Sequence, residues 1–473
     1  MHSGNNSTAP VEQLGGTLRS PGRVALLMPY WDFWETSVPW DLRADRDQLL
    51  TEASGIAATT CEVTFASLVP DVDVALSLRD ELRMVDAVIV VSTMAAPSAT
   101  TTTALDGSPD MPILVWALSR SDHVDEDFSH TGITTAGSSV GAPMVASALT
   151  RAGHRFDVVA SSLSATEDVR KAMKRLVAAG ICLRRPVVAV GDPIPGYTTV
   201  VAPEGARGVH RQVSLPAMTL AEATAKAIGS DVDHTVEQIR AQFDVDESVS
   251  DASLTMAAKT EVALRDIVRS TGAVAGTINC HDSALRGDPT FGFAPCLALG
   301  RLTTEGVPFT CTGDVLTAVA MLVVRSLGHP TLYHEIEALD FERSEVIIAN
   351  SGEHDLGLCS SVAALVPNNW YLHDPIVGPC ARFSLPPGPA SLVAFVMTPE
   401  PRFVVAEGEF TGRHFPATGV PNGSFRFNSA PLAHAWSEWV KAGVTHHSIA
   451  TTGHLADDIG GVARLTGAQF VHV

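Results

Sequence analysis

The sequence predicts an α/β protein, with two doubly wound parallel-sheet units followed by a β-rich, barrel-like C-terminal unit. Three observations carry this. Apolar runs alternate with helical stretches over the earlier part of the chain, as in successive βαβ units. Runs such as 86–93 (DAVIVVST) and 111–118 (MPILVWAL) are continuously apolar, the pattern of strands buried on both faces. After about residue 331 the texture changes to alternating strands, Pro/Gly turns and few helices.

Taken in order, residues 1–20 carry no apolar core and read as a disordered tail. A first strand at 23–28 ends in Pro29, Tyr30 and Trp31, the start of an aromatic segment that also holds Phe33 and Trp34. Such aromatics can stack on a ligand's face across a subunit boundary, or simply pack in a core or interface. A helix is expected at 40–55, a strand at 61–69, and a helical stretch up to Met84. After the two apolar strands come a helix at 141–152 closed by Gly153, a strand at 154–163, and a helix at 166–179 ended by Gly180. The run 185–197 (RPVVAVGDPIPGY) opens a second α/β unit with a strand and a Gly/Pro turn. Helices follow at 219–228 and 236–243, then an acidic, linker-like piece at 244–251 and a long helix at 252–270. A strand at 273–278 leads to Asn279, Cys280, His281 and Asp282. The domains expected are 21–163 and 164–329, both Rossmann-like, and 330–473, rich in strands. No GxGxxG follows the first strand, which removes support for a dinucleotide site.

Composition narrows the function classes. At 473 residues, 45% hydrophobic, the chain is too long for one ordinary core. A formal charge of −20 argues against nucleic acid, whose phosphates demand a basic footprint. There is no uncharged apolar run long enough for a membrane span and no apolar signal core, so cytoplasmic residence is expected. The 7 cysteines are scattered without a CxxC pair and read as reduced thiols.

The chemistry-bearing residues concentrate in 306–355. Cys311, Thr312, Gly313 and Asp314 form a polar turn entering an apolar helix at 316–326, which Gly328, His329 and Pro330 stop. Glu335 and Glu337 follow on a strand, two positions apart and so on one face if extended. A second strand delivers Asn350 through Asp355 into a loop, where Glu353, His354 and Asp355 either supply ligands or form a hydrogen-bonded turn. Thr445, His446, His447 and Ser448 come about a hundred residues later. Adjacent strand residues face opposite ways, so one histidine can meet a metal and the other a substrate. His281 and Arg286 follow a strand end; an arginine there can clamp an anion in bidentate fashion or stand as an ordinary surface charge.

These motifs, in this order, resemble the L-arabinose isomerase and L-fucose isomerase superfamily. The segments concerned are CTGD (311–314), EIEALDF (335–341), ANSGE (349–353) and THHS (445–448). The resemblance extends to PCLALGRLTTEGVP, VVAEGEF and the closing GHLADDIGGVARLTGAQFVHV. It implies aldose–ketose isomerisation on a small sugar-like substrate, by acid–base proton transfer between neighbouring carbons. It also implies a divalent metal, Mn²⁺ first, held by Glu335 and His447, with His446 and His281 on the sugar. Two positions depart from the pattern. The family turn's Glu, a metal ligand and proton carrier, is here Thr312; the family's second-strand His is here Asn350, left as a substrate contact. Glu335, Asp314 and Thr312 are therefore the catalytic candidates, Asp314 as the nearest carboxylate to the vacancy. The family implies a homo-oligomer, trimer or hexamer. A diverged epimerase, lyase or decarboxylase on the same scaffold, or a non-catalytic carbohydrate-binding homologue, is the alternative.

Overall fold

The computed structural model describes residues 21–202, 211–287, 291–351 and 353–473. The expected tail at 1–20 lies outside the described residues.

The first sheet holds β1 (Arg23–Pro29), β2 (Glu62–Val69), β3 (Ala87–Ser92), β4 (Ile113–Ser119) and β5 (Phe156–Ser162), all parallel, in the order β2-β1-β3-β4-β5. Its central strands are buried on both faces, which is why their sequences are unbroken apolar runs. The strand order reverses between β1 and β3, and the aromatic segment sits beyond those strand ends. Tyr30 is buried and donates to Glu35 Oε1 at 2.7 Å, and Trp34 Nε1 donates to the Ala95 carbonyl at 2.8 Å. Trp31 and Phe33 stack at 4.6 Å, leaving Phe33 exposed.

The helix Glu167–Arg184 does not stop at Gly180 as expected. A Cβ at Gly180 would lie 2.6 Å from the Asp86 carbonyl oxygen, so this glycine permits close helix–strand approach instead of ending the helix.

The second unit contributes β6 (Pro186–Val190), β7 (Arg211–Leu215), β8 (Asp244–Val245), β9 (Ala275–Ile278) and β10 (Phe309–Thr310). Four of these form a parallel sheet in the order β10-β9-β6-β7. Its order reverses between β6 and β9, and ligand crevices of such sheets open at the strand ends of that point. Asn279 ties the crevice together, its backbone N–H on the Val190 carbonyl at 3.0 Å and its Nδ2 on the Asp192 carbonyl at 2.7 Å.

The remaining strands are β11 (Leu332–Asp340), β12 (Glu345–Ala349), β13 (Ala364–Pro367), β14 (Pro379–Arg382), β15 (Gly388–Met397), β16 (Pro401–Phe410), β17 (Asn422–Phe427), β18 (His447–Thr452) and β19 (Gln469–His472). The order β15-β18-β11-β12-β17-β16 closes on itself through β15–β16, giving an antiparallel barrel, with β19 added in parallel on β16. Closure removes the edges an open sheet would expose. Two helices, Leu432–Lys441 and Ala456–Thr466, belong to this part of the chain. The acidic piece at 244–251 is not a free linker. Its β8 pairs in parallel with β13, through Asp244 N–H to the Ala363 carbonyl and Asp246 N–H to the Leu365 carbonyl, each at 3.0 Å.

The helix Val315–Leu327, buried over nearly its whole length, packs on β15 and β18 and joins the second sheet to the barrel. Gly328 at φ 99° ends it in the left-handed conformation.

Candidate metal and sugar site

The site begins at the turn after β10. Gly313 has φ 77°, and a Cβ there would meet the Pro193 Cα at 2.5 Å. Thr312 itself adopts φ 60°, a left-handed conformation that costs a β-branched residue about 1–2 kcal/mol. The turn is held by Gly313 N–H on the Ile278 carbonyl at 3.0 Å and by Thr312 Oγ1 on the Cys311 carbonyl at 2.7 Å. Strain of this kind collects where structure around it over-determines a functional turn.

Asp314 caps the helix Val315–Leu327. Its carboxylate accepts from the Thr317 N–H at 2.9 Å and Oγ1 at 2.8 Å, and it lies 2.8 Å from His447 Nδ1. Asp314 is fully buried, so three partners offset the loss of water. The Tyr333 hydroxyl also reaches His447 Nδ1, at 2.6 Å, and Thr312 Oγ1 at 3.4 Å.

Strand register supplies the rest. Glu335 on β11 pairs across with His447 on β18, and His447 Nε2 lies 3.2 Å from Glu335 Oε1. His446 precedes the first residue of β18, so it escapes strand alternation and its ring lies beside that of His447, 3.8 Å between centroids. Its Nε2 is 3.9 Å from the same Glu335 oxygen. The loop after β6 closes over this corner, with Tyr197 edge-on to His446 at 5.3 Å and Thr199 Oγ1 2.9 Å from Thr445 Oγ1. β11 slips register between Ile336 and Ala338, a bulge that inserts Glu337 beside the paired residues. Glu335 and Glu337 both line a cavity of about 330 Å³.

The electrostatics follow. Burial works to lower the pKa of His447, but its bonds to Asp314 and Glu335 outweigh it and push it up to about 9. Burial works to raise that of Glu335, and the hydrogen bond and charge of His447 bring it below the usual range. Glu337 is raised by burial and by the neighbouring Glu335 charge. His446 is lowered by burial and by His447.

One donor atom each from Glu335, His446 and His447 lies within 4.8 Å of the others, the one such group of three among the described residues. A carboxylate oxygen with two imidazole nitrogens suits a divalent cation. Asp314 on the far nitrogen of His447 is the outer partner that orients a ligating histidine.

The other sequence candidates fall elsewhere. Thr312 touches Tyr333, and Asn350 is buried and accepts from Ser351 Oγ at 3.2 Å. His281 stands 6.1 Å from the Tyr371 ring, and its hydrogen bond with Cys280 raises its pKa. Arg286 is no free anion clamp, because it pairs with Asp374 and lies over Tyr371 at 4.4 Å. His354 packs against Gly300, and Asp355 pairs with Arg325 at 2.7 Å. Glu353 is fully buried, and its Oε1 has no hydrogen-bond partner among the described residues. Sequence reading missed Tyr333 and Tyr197. Tyr333 had a signal, since it stands two residues before Glu335 on one strand; Tyr197 sits in a loop from another sheet and had none.

Comparison with known proteins points one way. The chain is 27% identical over 314 residues to an L-arabinose isomerase of Acidothermus cellulolyticus, covering 63% of this chain and 59% of that protein. It is 27% identical over 316 residues to one of Nocardioides sp., covering 63% and 60%. It is 29% identical over 276 residues to one of Bacteroides thetaiotaomicron, covering 54% and 53%. The matched region thus spans about three-fifths or less of the length of these relatives. No family model matches the chain. Over 54–63% of its length the chain is thus similar to L-arabinose isomerases.

Proposed function

We propose that this protein is a sugar isomerase that moves a proton between adjacent carbons of a pentose, deoxyhexose or modified sugar. The observation that carries the reading is Glu335 Oε1 at 3.2 Å from His447 Nε2, with the far nitrogen of His447 on Asp314. Glu335 and His447 would hold a divalent cation, Mn²⁺ first, and the exposed His446 would meet the sugar. When bound, the cation supplies Lewis-acid stabilisation of developing oxygen charge. Glu335 stands ready as a base, Glu337 lines the same cavity as a second carboxyl group, and Asp314 with Tyr333 keeps the His447 ring in place. A homo-oligomer, trimer or hexamer, and the division at 21–163, 164–329 and 330–473 are part of the proposal. The exposed Phe33 and Trp40 are surfaces that a neighbouring subunit would cover. Nucleic acid is no part of it, given the charge of −20. Among the described residues no helix is long and apolar enough to cross a membrane.

Metal analysis of the purified protein beside Glu335→Ala and His447→Ala tests this, and equal metal in all three would refute the assignment. A second reading, an epimerase, lyase or decarboxylase, is favoured by Thr312 and Asn350, which stand where the resembling family carries a Glu and a His. Product analysis after incubation with aldoses in deuterated solvent separates the two. Thr312→Glu, which restores a carboxylate to the turn, should raise both metal content and isomerase turnover under the first reading.

A further inference from the structure

We infer that Cys280 and Cys311 form a peroxide-sensitive dithiol, whose closure to a disulfide weakens the cation site through the turn at Thr312. Disulfide formation stands independently of the isomerase reading; only its effect on the cation rests on that reading. Cys280 lies just past the end of β9 and Cys311 just past the end of β10, and these strands pair in parallel through Thr277 and Thr310. Thr277 Oγ1 reaches the Cys311 carbonyl at 3.4 Å, and the Gly313 N–H reaches the Ile278 carbonyl at 3.0 Å, so the strand ends run on side by side. A hydrogen bond joins the Cys280 and Cys311 side chains, and both thiols are free and buried. Among the described residues, the one group of three His, Cys or carboxylate donors within 4.8 Å of one another is Glu335, His446 and His447. The cysteine pair thus lacks the third donor that a metal cage needs, and its remaining chemistry is that of a dithiol.

The two sulfurs have different tasks. The hydrogen bond with Cys311, and after it the His281 imidazole, hold the Cys280 pKa well below the ordinary thiol range against the effect of burial. Cys311 is raised well above that range by the same hydrogen bond and by burial. Burial also raises Cys61, Cys182, Cys296, Cys359 and Cys380, so Cys280 is the attacking thiolate. It adjoins the exposed His281, at the strand ends where the crevice of the second sheet opens. The Cys280 thiolate attacks one oxygen of hydrogen peroxide, the O–O bond breaks, and the leaving hydroxide takes the His281 proton to become water. The Cys311 sulfur then attacks the Cys280 sulfenic acid; the S–O bond breaks, the S–S bond forms, and the second hydroxide leaves as water with the Cys311 proton. One peroxide is reduced as the pair of thiols is oxidised. Closure shifts Cys311, which precedes Thr312 in its left-handed conformation at φ 60°. Asp314, two residues on, caps the helix Val315–Leu327 and orients His447, so a shift of this turn moves the partner of a cation ligand.

The test is peroxide treatment of the full chain, then desalting, alkylation of the remaining thiols, trypsin digestion and mass spectrometry. Trypsin places Cys280, Cys296 and Cys311 on separate peptides, ending at Arg286, Arg301 and Arg325. A Cys280–Cys311 cross-link is expected, reversed by dithiothreitol. Cys311→Ser should stop the reaction at a sulfenic acid on Cys280, captured by dimedone. His281→Ala should slow oxidation about tenfold at neutral pH, because the thiolate loses its imidazolium partner. Titration with Mn²⁺ should show at least about tenfold weaker binding to the oxidised chain, recovered on reduction, and no change in peroxide-treated Cys280→Ser. Alkylated thiols at both positions, or a cross-link to Cys296 instead, overturn the dithiol. A Cys280–Cys311 cross-link that leaves Mn²⁺ affinity unchanged overturns the switch. A cross-link in a chain that binds no Mn²⁺ even when reduced overturns the cation reading and leaves the dithiol standing.

Discussion

Replacing Glu353 by glutamine should stabilise the protein at alkaline pH and do little at acid pH. Glu353 is fully buried, with one carboxyl oxygen unpartnered among the described residues. Burial, and next to it negative charge on the nearby Cys280 sulfur, raise its pKa from the ordinary 4.5 to about 7. A carboxyl whose pKa is raised on folding contributes stability that is fully present below the unfolded value. That stability is lost as pH rises through the folded one, here between about 4.5 and 7. At about 1.4 kcal/mol per pH unit, the loss reaches roughly 3 kcal/mol once Glu353 is ionised in both states. Glutamine keeps the shape of the protonated acid and has no charge to bury. Urea unfolding of both proteins at pH 5 and pH 8 measures this, and comparison of the pair cancels every other titrating group. The glutamine variant should exceed the parent by less than about 1 kcal/mol at pH 5 and by roughly 3 kcal/mol at pH 8. Parallel pH dependence in the two proteins would show that Glu353 does not carry the buried, unpaired charge described.

Gly180→Ala should destabilise although alanine is the better helix former, because the new methyl meets the Asp86 carbonyl at 2.6 Å; a loss of about 1–3 kcal/mol in urea unfolding is expected. Asp314→Ala removes the cap of the helix Val315–Leu327 and the partner of His447 together. It should cost about 1–2 kcal/mol of stability and weaken Mn²⁺ binding by about tenfold to a hundredfold, read by denaturation and metal titration. Light scattering at micromolar concentration should give the mass of a trimer or hexamer, and a stable monomer would contradict the oligomer.

Much of the framework was legible because it is local. The unbroken apolar runs of β3 and β4 declared strands buried on both faces, and Gly328 with Pro330 declared the end of the buried helix. The turn at Asp314 and the residues Glu335 and His447 could be singled out as types, each within a short motif. Their meeting could not, since Glu335 and His447 are brought together only by cross-strand register between β11 and β18, and Asp314 only by packing of its helix on that barrel. The same holds where local signals misled. Gly180 looked like a helix end until Asp86 came within reach, 244–251 looked like a linker until β13 offered backbone partners, and Arg286 looked free until Asp374 paired with it. Propensity and periodicity act between near neighbours along the chain. Register, close backbone approach and charge pairing depend on groups far apart in sequence, and only the folded chain sets those distances.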